Sequence, residues 1–193
     1  MRLLRAAEHV IVPWKNGGGV TREVLRADDP ADPAQFLWRI SIATVAKAGP
    51  FSRFPGIERS IAVLSGEGLR LLVDGVAVTL GPESAPFRFS GDAEVESEMV
   101  GGETTDLNAM TRRGVFAHQM RRVRLAERLV VTGEAEVTLL LFPGGGSVDG
   151  DGGRFELKSL DSVVLERGER VSVQGGQMFS IAIEPVGAQS SPS

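Results

Sequence analysis

Hydrophobic positions in this chain recur mostly at every second residue, in short runs separated by glycine-containing turns. Residues 61–64, 69–73 and 76–80 are short apolar or alternating runs. Asp74-Gly75 between the last two is a hairpin signal, because the tight turn requires positive φ. From 93 to 99, Glu94, Glu96 and Glu98 alternate with Ala93, Val95, Ser97 and Met99, the pattern of a strand with one face in water. Further strands are predicted at 115–125, 136–142, 154–157, 162–165, 170–173 and 178–184, while helical periodicity is scarce. Many short strands at this spacing predict an all-β sandwich or barrel.

The pattern also repeats weakly. VLSGE at 63–67 resembles VVTGE at 130–134, and 78–80 and 87–91 have counterparts at 163–165 and 171–175. On this alignment the offset grows from 67 to about 84, which assigns the second copy an extra Gly- and Asp-rich loop at 143–153. Insertions in surface loops leave a fold intact, so two copies of one small β-barrel unit are expected.

Composition narrows the classes. The 193 residues are 42% hydrophobic and 24% charged, as in ordinary globular proteins. A net charge of -4 argues against a nucleic-acid footprint, which needs a basic face. Arg121, Arg122 and Arg124 therefore read as a solvated strand face. Cysteine is absent, which removes disulfides, thiol nucleophiles and thiolate metal sites. No apolar run reaches membrane-span length, and MRLLRAAEHVIV at the N-terminus lacks the apolar core of a signal peptide. The cytoplasm is the expected location, with no membrane partner.

The motif with most chemistry is WKNGGGVTRE at 14–23. Gly17, Gly18 and Gly19 allow backbone angles and close approaches that other residues do not, so a bulge or sharp bend is expected there. Lys15 precedes the glycines, which excludes a Walker A loop, and no helix pattern follows, which excludes a dinucleotide fingerprint. Two readings stand: a bend that only turns the chain, and a loop that presents Lys15 and Asn16 to a small polar molecule.

Together with WRISIA at 38–43, GPFSRFPGIERSIAVLSGEG at 49–68, FSGD at 89–92 and DLNAMTRRG at 106–114, this motif resembles the HutD/Ves family over the first 114 residues, and more loosely beyond. The resemblance implies a bicupin, two fused cupin-type β-barrels, here a barrel at 1–113 carrying the motifs, a second at 114–186, and a flexible tail at 187–193. It also implies an association with bacterial histidine utilisation as a moderator of the pathway rather than a catalyst of one step. The implied partner is a small carboxylate metabolite of the urocanate or N-formylglutamate class.

Cupin enzymes commonly hold a metal with two or three His and a Glu. This chain has only His9 and His118, in no H-x-H pair, so no metal and no other cofactor is expected. A Ser-His-Asp mechanism lacks its G-x-S-x-G elbow, and no catalytic residue is assigned. Arginines are the better lead. In WRISIA, alternation puts Trp38, Ile40 and Ile42 on one face and Arg39, Ser41 and Ala43 on the other, which lines a barrel mouth or faces bulk water. Arg59 sits where a barrel rim would begin, after a loop that Phe51, Phe54 and Pro55 stiffen. Its planar guanidinium grips a carboxylate through two parallel hydrogen bonds. Asp106, Asn108, Arg112 and Arg113 either complete the pocket through Asn108 or form a connection between barrels, stitched by salt bridges from Asp106. Trp14 is a pocket wall or a core residue.

The expected ligand residues are thus Arg59 and Arg39, supported by Lys15, Asn16, Asn108, Trp14 and Ser41. The leading reading is a metal-independent carboxylate-binding regulator. The alternatives are a metal-independent isomerase or lyase acting on a small organic acid, and a protein-interaction module. Barrels of this kind also pair through exposed sheets, so a homodimer is compatible with the pattern.

Overall fold

The computed structural model describes residues 1–14 and 17–187. Among these, nineteen β-strands carry the fold, and the one helical segment is the 3-10 turn Ala6–Glu8. No helix among the described residues is long and apolar enough to cross a membrane. The chain divides into two compact units, one of His9–Arg113 and one of Met1–Glu8 with the residues from Gly114 onward.

The first strand, β1 (Arg2–Leu4), belongs to the second of these units. The first unit contains β2 (Val10–Pro13), β3 (Gly19–Asp29), β4 (Asp32–Val45), β5 (Gly49–Pro50), β6 (Ile57–Ser65), β7 (Leu69–Val73), β8 (Val76–Leu80), β9 (Phe87–Ser90), β10 (Val95–Met99) and β11 (Thr104–Arg112). Its two antiparallel sheets run β2-β3-β4-β11-β6-β9 and β5-β10-β7-β8. Val45, Ile61, Val63, Leu69, Leu71, Leu80, Phe89, Ala93 and Val95 meet in one cluster fed by both sheets. Burying each large aliphatic side chain contributes about 1.5–3 kcal/mol, and the period-two pattern delivers them all to one side. The Asp74-Gly75 hairpin forms as expected, with φ of 46° and 82° and Val73 paired to Val76.

The second unit contains β12 (Phe116–Arg124), β13 (Leu129–Thr132), β14 (Val137–Phe142), β15 (Gly146–Gly150), β16 (Gly153–Leu157), β17 (Asp161–Leu165), β18 (Arg170–Gly175) and β19 (Gln177–Pro185). Its sheets run β1-β17-β14-β19-β12 and β13-β18-β15-β16. This order reproduces β9-β6-β11-β4 and β5-β10-β7-β8 of the first unit, so the internal repeat is real. Its register differs from the one read in the sequence. The hairpin β15–β16 matches β7–β8, which sets Leu157 against Leu80 at an offset of 77, not one drifting from 67 to 84. The stretch at 143–153 is therefore no inserted loop but the strand and turn equivalent to 66–76. Glycines at 146 and 150 hide β15 from an apolar count, and VVTGE belongs to β13, which pairs with β18.

Residues 1–8, assigned with the first half on sequence, belong instead to the second unit, where Arg2–Leu4 pair with β17, Leu3 opposite Val163. Asp161 anchors them: its carboxylate accepts hydrogen bonds from the Ala6 amide at 2.8 Å, from Arg5 at 2.7 Å and from the Lys158 amide at 2.9 Å. Burial pushes this carboxyl up, but those donors outweigh it and hold it below the usual range. In the core, Phe142 is fully buried among Leu140, Val163, Leu165 and Val173. Phe142→Ala is expected to lower stability by about 3–5 kcal/mol in denaturant unfolding, since the neighbours cannot collapse into the space of a lost ring.

Candidate functional site

The carbonyl of Gly19 accepts from the Trp14 amide at 2.9 Å, which closes the turn between β2 and β3. Gly17 has φ of 65°, the left-handed region that favours glycine. Gly19 is needed for a different reason: a Cβ there would lie 2.2 Å from the Thr44 carbonyl oxygen on β4. The glycine run is thus the sharp bend expected from sequence, and it brings Trp14 against β3, where Nε1 donates to Thr21 Oγ1 at 2.8 Å.

Three adjacent strands, β4, β11 and β6, supply the floor beside this turn. Met110 pairs with Arg39 on one side and Arg59 on the other, and Asn108 pairs with Ser41 and Ile61. Residues two apart share a face, so Arg39, Ser41, Ala43, Asp106, Asn108, Met110 and Arg59 all project to one side. Strand spacing sets the Cα atoms of Arg39 and Arg59 roughly 10 Å apart. That side lines a cavity of about 480 Å³, walled further by Val12, Pro13, Trp14 and Thr21 and by Pro50, Phe51, Ser52 and Phe54.

Arg59 is only 4% exposed, so it lies inside the unit rather than at a solvent-facing rim. One nitrogen donates to the Ser52 carbonyl at 3.2 Å and another to Asn108 Oδ1 at 2.9 Å, while Nε has no hydrogen-bond partner. The guanidinium carbon lies 5.3, 5.4 and 4.9 Å from the ring centroids of Phe51, Phe54 and Phe89. These rings hold the cation in a nearly water-free place, and contribute cation–π attraction there. The loop carrying two of them is tied down: the Phe51 amide donates to Val95, the Phe54 amide to Gly91, and Arg53 to the Asp92 carbonyl. Phe51 and Phe54 therefore do more than stiffen the loop.

Asp106 is completely buried, with one oxygen accepting from the Asn108 amide and Oδ2 unpartnered. Asn108 thus stands between Arg59 and Asp106 and bonds both. Burial pushes the Asp106 carboxyl up to about 7, against the pull of Arg59 and the Asn108 hydrogen bond. Burial likewise brings Arg59 down to about 10, with Asp106 opposing and Arg39 assisting. Arg39 is also lowered by burial, with Glu23 opposing and Arg26 assisting. Its Nε lies 3.3 Å from Glu23 Oε2, an ion-pair distance without a hydrogen bond.

Of the residues expected from sequence, Arg59, Arg39, Asn108, Trp14 and Ser41 all line this one cavity. Lys15 and Asn16 lie outside the described residues. The connection reading of 106–114 does not hold: 104–112 is the central strand β11, and Asp106 bonds Asn108 rather than an arginine. Arg112 and Arg113 turn elsewhere, Arg112 to Asp29 at 3.5 Å and Arg113 to Asp92. Asp106 and Thr21 were not singled out as ligand residues. The alternation Asp106-x-Asn108-x-Met110 was the available signal, and its polar members disguised a buried strand.

The cavity does not suit the metal that cupin enzymes commonly hold. Neither histidine lines it, and its charged lining side chains are one carboxylate and two guanidiniums, which would repel a cation. Among the described residues, no group of three or more His, Cys, Asp and Glu is placed to hold one.

The sequence profile described as HutD matches residues 6–181. An uncharacterized 21.2 kDa protein in the hutC 3′ region of Pseudomonas putida is 44% identical over 126 residues, 65% of this chain and 63% of that one. Protein Ves from Citrobacter koseri is 41% identical over 123 residues, 62% of this chain and 60% of that one. The chain thus aligns with less than two thirds of the length of these curated relatives. A structure of HutD from Pseudomonas fluorescens SBW25 in a formate condition superposes with a TM-score of 0.81 at 31% identity, covering 96% of this chain and 99% of that one. A cupin 2 conserved barrel protein from Leptotrichia buccalis, at 14% identity and a TM-score of 0.54 over 90% of this chain and 92% of that one, shares the fold alone. The protein is all-β with two cupin-type barrels, and with the profile matching nearly its whole length, it belongs to the HutD family.

Proposed function

We propose that the cavity of the His9–Arg113 unit binds a small organic acid through Arg59, and that this binding serves a moderating role in histidine utilisation. Family membership and a relative in a hutC 3′ region support the pathway. The observation that carries the ligand class is the buried Arg59 guanidinium, with its Nε unpartnered, lining a cavity of about 480 Å³. A carboxylate satisfies both terms at once, a charge to neutralise and a planar fork to match. Ser41, Thr21 and Asn108 supply neutral hydrogen-bonding groups, and Trp14, Phe51, Phe54 and Met110 an apolar wall, as in small-molecule sites. A relative solved in a formate condition fits the same class.

Each charge-assisted hydrogen bond contributes about 1.5–3 kcal/mol, so Arg59 with two helpers gives micromolar to millimolar affinity. Such affinity suits a protein that reports a metabolite level. Isothermal titration with urocanate, N-formylglutamate and formate tests the reading. At least one is expected to bind with a dissociation constant in that range; none binding would remove the carboxylate assignment.

A further inference from the structure

The buried end of the cavity contains a charge arrangement that the carboxylate reading alone does not explain. Arg59 has one resident counter-charge on the cavity floor, Asp106, and the two do not touch: Asn108 accepts from Arg59 and donates to Asp106. The outer atoms of this three-residue chain, Arg59 Nε and Asp106 Oδ2, are both buried and both unpartnered. Both residues line the one cavity and feel each other's charge, so a carboxylate that pairs with Arg59 there shares the cavity with a second carboxylate. Two adjacent carboxylates in a buried place do not both stay ionised; one holds a proton.

We infer that an incoming carboxylate displaces Asp106 as counter-ion of Arg59, so that each anion enters together with one proton, which Asp106 takes up. The inference rests on the carboxylate reading above and adds Asp106 as the residue that sets the charge the site accepts. The balance is simple. Before binding, above about pH 7, Arg59 and ionised Asp106 sum to zero. Afterwards Arg59 and the ligand sum to zero, Asp106 is a neutral acid, and the proton has come from solvent. A site neutral in both states avoids the cost of an unpaired buried charge. Protonated Asp106 gains an O–H donor, and its bond to Asn108 persists because the second oxygen still accepts.

The surrounding charges agree with this balance. On β6 the group facing Asp106 is Arg59; on its own strand β11 it is Asn108; on β4 Arg39 lies further off and is already matched by Glu23 of β3. From the 50–54 segment only Pro50, Phe51, Ser52 and Phe54 line the cavity, with no titratable group. Asp106 is thus the group here able to exchange a proton near neutrality, since its carboxyl already sits at about 7 without ligand.

The test uses the full chain and formate, which remains a monoanion across the range. Binding is followed by calorimetry from pH 5.5 to 9 in pairs of buffers with different ionisation heats. Affinity should be flat below about pH 7, fall about tenfold per pH unit above it, and be accompanied by uptake of close to one proton at pH 8. Asp106→Asn should bind formate with no pH dependence and no proton uptake. A carbon-13 titration of the Asp106 carboxyl in the unaltered protein, which needs no variant, should show its midpoint moving upward when formate is added. Formate binding that is independent of pH, or an unmoved midpoint, would overturn the exchange while leaving the carboxylate site intact. No binding of formate or the larger acids at any pH would remove both.

Discussion

Arg59→Ala is expected to lose organic-acid binding by at least a hundredfold and to destabilise the protein more at alkaline than at acidic pH. The first part follows from removing two or more charge-assisted hydrogen bonds at about 1.5–3 kcal/mol each. The second follows from what the deletion leaves behind. Asn108 Oδ1 loses its donor, three phenylalanine rings lose the cation they enclose, and Asp106 loses its nearest counter-charge. Arg59 and Asp106 are linked only through Asn108, so the loss is the unsatisfied Asn108 oxygen, about 1–3 kcal/mol, together with the charge support that Asp106 loses.

Arg59 pulls the Asp106 carboxyl downward, so its removal drives that group further above about 7. In the window between the two values, the folded variant holds a proton that the folded parent has released. Stability of the variant therefore falls relative to the parent as pH rises through that window. Below it both proteins carry neutral Asp106, and the deficit shrinks to lost packing and hydrogen bonds. Thermal unfolding at pH 6 and pH 9, beside calorimetry, reads both effects. Arg59→Lys separates them: it keeps a cation and should retain most of the stability, yet lose tenfold or more in affinity because an ammonium lacks the fork. Unchanged affinity in either variant would contradict the assignment.

Gly19→Ala is expected to cost roughly 3 kcal/mol and to weaken ligand binding, whereas Gly17→Ala costs about 1–2 kcal/mol. The two glycines are neighbours in one motif but are required for unrelated reasons. A Cβ at position 19 would sit 2.2 Å from the Thr44 carbonyl and 3.3 Å from the Trp14 ring. Neither can move without opening the β3–β4 ladder or displacing a cavity wall. At position 17 there is open space within 4 Å, and the cost is only that of holding φ at 65° with a side chain. Denaturant unfolding of both variants, with binding measured alongside, distinguishes steric from conformational demand. Equal costs would show that the approach to Thr44 is not what requires glycine at position 19.

Local chemistry made much of the molecule legible. Short apolar or alternating runs at 61–64, 69–73, 93–99 and 178–184 specify strands because a half-buried strand must alternate and a buried one reads as continuously apolar, and Asp74-Gly75 specifies its turn because few residue pairs accept two positive φ values. The same alternation correctly separated Arg39 and Ser41 from Ile40 and Ile42. Whether the polar set faced a cavity or water was not a local matter. It was decided by β11 and β6, which extend the floor beside β4 from residues far along the chain, and by Val12–Trp14 and the 50–54 segment, which wall that face in. β11 itself was hard to see, because Asp106 and Asn108 are polar residues facing the cavity and so interrupt the apolar signal of a central strand.

The repeat illustrates the same division. Its existence was visible, since both halves must build the same pair of sheets, but the similar pentapeptides at 63–67 and 130–134 pointed to the wrong register. Only pairing partners establish register, and they are hydrogen bonds between residues far apart in the chain. The chemistry of individual groups was therefore open to reading from composition and pattern: an acidic, cysteine-free, glycine-punctuated β chain with arginines fit to hold an anion. The placement of Asn108 between a buried guanidinium and a buried carboxyl, 49 residues from Arg59, came from the tertiary fold alone. Burial is a property of the whole assembly of strands, and it is burial that turns an ordinary aspartate into one that titrates near neutrality.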